Sequence, residues 1–317
     1  MKPTYSTTHM LMNLRKRFRR VLDLPSDAVN GTIGDVLNSF GRAEKFLLPQ
    51  DGLLFDDTDA KHFVKFFKLP FPAVVLEYEG TTGNYRRKPR DNYEAVKVIL
   101  LAMEANLQSR QSRMDLNYDD KKEKDGAIVC VAYSQEANPK EWLLIPATIY
   151  IPYGSQAQEF AADINKIIVG VLYPLMDIDE DAQDFATCTS AVIKESLSLF
   201  HFCSALNCSN VTYDTVKAPK FINSKRKAKG ELPLYEYKIL TVDTRARHVD
   251  TGEVLSTGRK HASPRQHIRR GHIRHYKSGK NVWIQQMTVG DPAKGRIDKD
   301  YKVKASTGFT PGASPKS

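Results

Sequence analysis

The densest concentration of reactive side chains is the run Ser263-Pro-Arg265-Gln-His267-Ile-Arg269-Arg270-Gly-His272-Ile-Arg274-His275-Tyr276, which holds four arginines, three histidines and a tyrosine in fourteen residues. Arginine presents a planar fork of donors to phosphate or base edges. Tyr276, and Trp283 seven residues on, offer rings on which unpaired bases stack. This combination fits single-stranded RNA ahead of a rigid duplex, and RNA ahead of DNA. On a strand, His272, Arg274 and Tyr276 share one side and Ile273 and His275 the other. Gly271 permits close backbone approach to a ligand. A rival from another class is a metal-independent ribonuclease. In it His267 and His272 act as general base and acid, and Arg269 or Arg270 stabilises the phosphate in the transition state. The five-residue spacing of those histidines is not the i, i+4 spacing of a zinc helix, and no third ligand accompanies them, so no metal is expected.

A second signal is Pro219-Lys220-Phe-Ile-Asn223-Ser-Lys225-Arg226-Lys227-Ala-Lys229-Gly230, read as a basic loop whose ammonium groups and backbone N–H groups face phosphate. The candidate nucleic-acid-binding set is therefore Lys220, Asn223, Lys225, Arg226, Lys227, Lys229, Arg265, His267, Arg269, Arg270, His272, Arg274, Tyr276, Lys280 and Trp283. Charge distribution supports it. From Lys217 to Lys304 there are 22 lysines and arginines against 8 acidic residues, while the rest of the 317-residue chain carries 25 against 29. A surface that positive releases counterions from a polyanion.

Other classes are excluded. Neither G-x-x-x-x-G-K-[ST] nor G-x-G-x-x-G occurs, which disfavours a nucleotide-dependent enzyme, and no cofactor is expected. The acidic run Asp177 to Asp184 reads as charge beside a helix start, not as a metal site. Cys130, Cys188, Cys203 and Cys208 form no C-x-x-C pair and read as small buried residues in a reducing compartment. The N-terminal arginines and lysine between Arg15 and Arg20 precede no apolar signal core. No apolar run reaches the roughly 18 residues of a membrane span, so a cytoplasmic protein with no membrane partner is expected.

The elements that must position these residues follow from periodicity. Residues 10 to 24 carry an apolar helical stripe of Met10, Leu11, Leu14, Phe18, Val21 and Leu22 beside basic positions. Further helices are expected over Ile33 to Phe46, Asp59 to Phe67, Ala157 to Met176 and Asp184 to Leu206. Strands are expected at Pro72 to Tyr78, Ala95 to Leu101, Ala127 to Tyr133 and Trp142 to Ile151, the second leaving open a helix through Ala105. After Leu206 come a short strand at Asn210 to Tyr213, another at Leu234 to Val242, and a hairpin of His272 to Tyr276 with Asn281 to Met287, turning at Lys277-Ser-Gly-Lys280. Tyr301 to Val303 is a further short strand. The fold class is α+β, an antiparallel sheet covered by helices with a small basic β-rich C-terminal module. The expected units are a body over 1–206, a nucleic-acid module over 207–304 and a disordered tail over 305–317.

Three stretches suggest a family: Asn207-Cys-Ser-Asn-Val; Pro219-Lys-x-x-Asn223-x-Lys225-Arg226 leading to Pro233-Leu-Tyr-x-Tyr-Lys; and Pro264-Arg-x-His-x-Arg-Arg-Gly-His272 with Trp283 downstream. Together they resemble a group of phage, prophage and plasmid proteins that includes the second family of type V-A anti-CRISPR proteins, which lower production of the CRISPR effector nuclease during translation of its message. The resemblance is clearest over residues 200 to 303, with a weaker echo at Leu69-Pro-Phe-Pro72. It implies a phage-borne protein in the host cytoplasm that engages mRNA or the translating ribosome and recognises a protein partner or nascent peptide through its other domain. A virion or assembly protein binding packaged nucleic acid is the third reading.

Overall fold

The computed structural model describes residues 5–19, 28–55, 63–64, 67–80, 95–105, 126–135, 140–153, 168–171, 182–243, 265–269, 272–284, 287–289 and 291–297. In chain order its elements are α1 (Ser6–Arg17), α2 (Ala28–Arg42), β1 (Glu44–Leu47), a 3-10 turn (Gln50–Gly52), β2 (Ala73–Glu79), β3 (Ala95–Ala105), β4 (Gly126–Gln135), β5 (Trp142–Leu144), β6 (Ala147–Pro152) and β7 (Ile168–Val171). Then follow α3 (Ala182–Leu206), β8 (Val211–Val216), α4 (Lys220–Ala228), β9 (Tyr237–Val242), β10 (Arg265–Arg269), β11 (His272–His275), β12 (Asn281–Ile284), β13 (Met287–Val289) and β14 (Asp291–Ile297).

Branched residues dominate β2, β3, β4 and β6, and these strands pair antiparallel through the middle of a nine-stranded sheet ordered β7-β6-β4-β3-β2-β1-β9-β8, with β5 also on β4. The α+β class therefore holds, with one refinement: β1 runs parallel to both of its neighbours, β2 and β9. The sheet draws strands from both sides of Leu206, because β8 and β9 extend it. Two smaller sheets, β13-β10-β14 and the β11–β12 hairpin, complete the described structure.

Strand alternation gives the large sheet two apolar faces. One face, with Val75, Ile99, Leu101 and Cys130, packs against Met10, Leu11 and Leu14 of α1 and Val36, Leu37 and Phe40 of α2. The other, with Val74, Leu76, Leu100, Val129 and Ile149, packs against Val192, Leu199, Phe202 and Cys203 of α3. Each such side chain contributes roughly 1.5 to 3 kcal/mol when fully buried. The result is three layers, helix on sheet on helix.

Polar anchors fix both helical layers to β2. Facing α1, the carboxylate of Glu77 accepts the Thr7 backbone N–H at 2.6 Å, the Thr7 hydroxyl and the Tyr237 hydroxyl of β9. Beside it Lys45 closes the end of α2, donating to the carbonyls of Gly41 at 3.0 Å and Ala43 at 2.7 Å. Its ammonium also lies 4.0 Å from the centre of the Tyr235 ring. Burial brings the Lys45 pKa down to about 8, against the opposing charges of Glu77 and Glu44. Facing α3, the neighbouring Tyr78 donates to Glu195, which also accepts the Tyr133 hydroxyl at 3.4 Å. Gly52 closes this side with φ of 68°. A Cβ there would stand 2.7 Å from that of Ser198 and 3.0 Å from the Tyr78 ring, so no other residue fits. His201 of α3 accepts the Leu54 and Phe55 amides on Nδ1, which makes it a loop anchor.

Several expectations are corrected. The helix expected over Ile33 to Phe46 ends at Arg42, and Phe46 lies in β1. Of the helix expected over Ala157 to Met176, residues 168–171 form the strand β7, and residues 157–167 and 172–176 lie outside the described residues. The run from Ala95 is strand through Ala105, and Pro146 divides Trp142 to Ile151 into β5 and β6. The basic loop is the helix α4. Of the helix expected over Asp59 to Phe67, residues 59–62 and 65–66 lie outside the described residues, as do the strand at Tyr301 to Val303 and the tail. Among the described residues no helix is long and apolar enough to cross a membrane.

Burial pushes the Glu77 carboxyl above its ordinary range, against the hydrogen bonds from Thr7 and Tyr237 and the charge of Lys45. The folded chain thus holds this proton more tightly than the unfolded chain. The stabilising contribution is complete below the unfolded value near 4.5 and is lost as pH rises through the folded value. Measured by urea denaturation across pH 4 to 8, wild type should lose stability relative to Glu77→Gln as pH rises. Parallel curves would place the carboxyl's pKa at its ordinary value.

Candidate nucleic-acid interface

The residues singled out for RNA contact fall into separate groups. After β8 the chain passes Pro219 into α4, a nine-residue helix with no buried residue. Such a helix contributes little to a core and is held by polar contacts. Asn223 supplies them: its amide donates to the Leu234 carbonyl at 2.9 Å and its oxygen accepts the Leu234 N–H at 2.7 Å. Arg226 adds a 2.6 Å bond from Nε to the Leu232 carbonyl, a 3.2 Å ion pair with Glu231 and a 3.0 Å contact with Met12 of α1. Asn223 and Arg226 therefore hold the helix in place.

The lysines remain. Lys220, Lys225, Lys227 and Lys229 are exposed, and none forms an ion pair among the described residues. Lys225 sits over the ring of Phe221 at 4.3 Å, and that ring is 71% exposed. Lys220, Ser224 and Lys227 also line an open depression of about 700 Å³ with Gly230 and Pro233. Beside α4, α1 turns His9, Met12 and Lys16 outward. His9 is held below its ordinary pKa by burial and by the charges of Arg226 and Lys97. Sequence reading missed Phe221, because an aromatic in a basic run reads as a core residue, and missed His9 and Met12, because only the register of α1 turns them out beside α4.

The second group is the β11–β12 hairpin, whose turn puts Gly279 at φ of 83°. Its tight end is closed by the Tyr276 N–H to Lys280 carbonyl and Gly279 N–H to Tyr276 carbonyl bonds, both 2.9 Å. Arg274 is exposed, with its guanidinium 5.0 Å from the centre of the Tyr276 ring. His272 is half-buried, Lys280 is exposed, and His275 Nδ1 lies 2.7 Å from the Asn281 side-chain oxygen. Trp283 packs 4.8 Å from the Phe55 ring. Its backbone is clasped by Asn210, whose oxygen accepts the Trp283 N–H at 2.8 Å and whose amide donates to the Trp283 carbonyl at 2.9 Å. Trp283 thus ties the hairpin to the body.

Arg265, His267 and Arg269 occupy alternate positions of β10, with His267 opposite Val289 of β13. Arg270 lies outside the described residues. His267 and His272, paired in the nuclease reading, fall in different sheets. The hairpin docks at the start of β8, and α4 leaves from its end. A six-residue strand, roughly 17 Å of chain, thus separates the two described groups. No group of three or more His, Cys, Asp or Glu among the described residues could hold a metal. The cysteines are buried, and burial pushes the thiols of Cys130, Cys203 and Cys208 up to about 12.

Fold and site define a mixed α/β protein with exposed cations grouped at both ends of an outer strand. The chain belongs to the AcrVA2-like anti-CRISPR type V subtype A2 family, whose model matches residues 52–291. Comparison with curated proteins and with solved structures returned no match.

Supporting residues and presenting residues should separate on mutation. Asn223→Ala strands the backbone N–H and carbonyl of the buried Leu234 and should cost about 1 to 3 kcal/mol in urea denaturation. Lys227→Ala should stay within about 0.5 kcal/mol of wild type. Equal effects would refute the division.

Proposed function

We propose that this protein is a phage counter-defence factor that binds RNA, mRNA or the RNA of the translating ribosome, through α4 and the β11–β12 hairpin. Family membership supports the counter-defence role. The observation that carries RNA binding is α4 itself: it presents four lysines that form no ion pair among the described residues, one of them over an exposed aromatic ring, on a helix that buries nothing. Phosphate neutralisation requires cations free of carboxylate partners, and base stacking requires an open ring. Arg274 against Tyr276 supplies the same pair of functions on the hairpin. The helix-covered sheet is the part available to a protein partner or nascent peptide.

Filter binding with end-labelled single-stranded RNA over a range of salt concentrations tests this. Each phosphate contact contributes a log–log slope of about −0.7, so replacing Lys220, Lys225, Lys227 and Lys229 by Ala should flatten the slope by up to roughly 3. Phe221→Ala should weaken binding by about 1 to 3 kcal/mol with the slope unchanged. A quadruple variant with the wild-type slope would remove α4 from the interface, and a duplex of DNA bound as tightly would remove the preference for RNA. Strand integrity is read on the same samples. Cleavage by wild type that disappears in His272→Ala while binding persists would establish the nuclease instead.

A further inference from the structure

We infer that β8 pairs antiparallel with β8 of a second copy, centred on Tyr213, so that the hairpin of one copy lies beside α4 of the other. β8 is the last strand of the large sheet. The ladder to β9 fixes which way each residue faces. Asn210 and Asp243 continue the register one step beyond Val211 and Val242, and the Asp243 N–H donates to the Asn210 carbonyl at 2.8 Å. Bonded pairs in an antiparallel ladder alternate. Thr212, Asp214 and Val216 therefore bond β9, and Val211, Tyr213 and Thr215 turn their N–H and carbonyl groups to the open side. The Val211 N–H is taken by the Cys208 carbonyl at 3.1 Å. Those of Tyr213 and Thr215 have no partner among the described residues.

Exposed edges are ordinarily guarded by lysine, proline or a bulge. Val211–Val216 has none of these and carries one charge, Asp214. The strand is also self-complementary. Outward residues must oppose outward residues, which leaves few registers. Centring on Asp214 sets two carboxylates face to face, which is unfavourable. Centring on Thr212 calls on the Val211 N–H already in use. Centring on Tyr213 gives four bonds: Tyr213 N–H to the Tyr213 carbonyl in both directions, and Thr215 N–H to the Val211 carbonyl in both directions. It sets Thr212 of one copy opposite Asp214 of the other. The Tyr213 ring, 40% exposed where it leaves Phe46 and Phe71, is covered by its own copy. Such a two-fold contact closes the β8 edge of both copies at once.

Antiparallel pairing also reunites what one chain separates. The start of β8, where the hairpin docks, comes beside the end of the other copy's β8, where α4 leaves. This consequence rests on the RNA reading; the pairing does not.

The test uses nuclease-treated full-length protein at high salt, so that RNA cannot bridge copies. Sedimentation equilibrium should give twice the chain mass. Thr215→Pro removes only an outward N–H and should raise the dimer dissociation constant about tenfold or more, with unchanged circular dichroism. Under mild oxidation Tyr213→Cys should form a disulfide-linked dimer, since Cα atoms at the two-fold lie about 5.5 Å apart. Thr215→Cys should not, because its copies are four residues out of register, roughly 14 Å. The native cysteines are buried and do not compete. Monomeric wild type, whether or not it captures an added strand peptide, would overturn the pairing. Equal crosslinking by Thr215→Cys would overturn it too.

Discussion

Everything outside the central strands depends on one buried carboxylate. Glu77 lies in the middle of the sheet, where an unpaired charge would cost several kcal/mol. Three donors converge on a single oxygen: two from Thr7 in the first turn of α1, one from Tyr237 in β9. These bonds join the N-terminal helix, the sheet centre and a strand 160 residues later within the same few ångströms. The other carboxylate oxygen has no hydrogen-bond partner among the described residues, which accords with the raised pKa: a proton there removes the charge without disturbing the three bonds.

Because successive residues of a strand point to opposite faces, β2 serves both helical layers from adjacent positions. Glu77 holds α1 and Tyr78 reaches Glu195 of α3. The register of β2 is thereby fixed twice, since a one-residue slip would turn both groups to the wrong layer. From this fixed strand the chain builds outward through β1 to β9 and β8, and the cationic groups hang from β8. Their positions are inherited from the core, although none of them enters it.

The strands of the sheet were legible because branched residues recur in short runs divided by turn residues, and α3 was legible from its apolar period. The order of the strands was not. The parallel seating of β1 between β2 and β9 joins Phe46 to Lys238 across nearly two hundred residues, and no local pattern encodes it. α4 was misread as a loop for a definite reason: helices are recognised by an apolar stripe, and this one buries nothing. For the candidate site the sequence offers residue types but not which of them support the fold. Asn223 and Trp283 have the chemistry of RNA contacts, yet Leu234 occupies the amide of the first and Phe55 packs against the ring of the second.

That partition bears on what the surface can recognise. Lysine is a mobile point charge and reads no sequence, so on the proposed RNA reading the α4 group would favour any accessible phosphate chain. The ring of Phe221 accepts any base on its face. Discrimination needs fixed donors, and Arg274 combines a planar fork with a neighbouring ring that restrains it. A chain that grips RNA at α4 and reads it at the hairpin must lay the strand along the intervening length of β8 or meet the second group on another copy. On that proposed reading, in either geometry the choice of RNA would rest on very few side chains. Selectivity beyond them would then have to come from the helix-covered body, with a protein ligand rather than a base supplying the information.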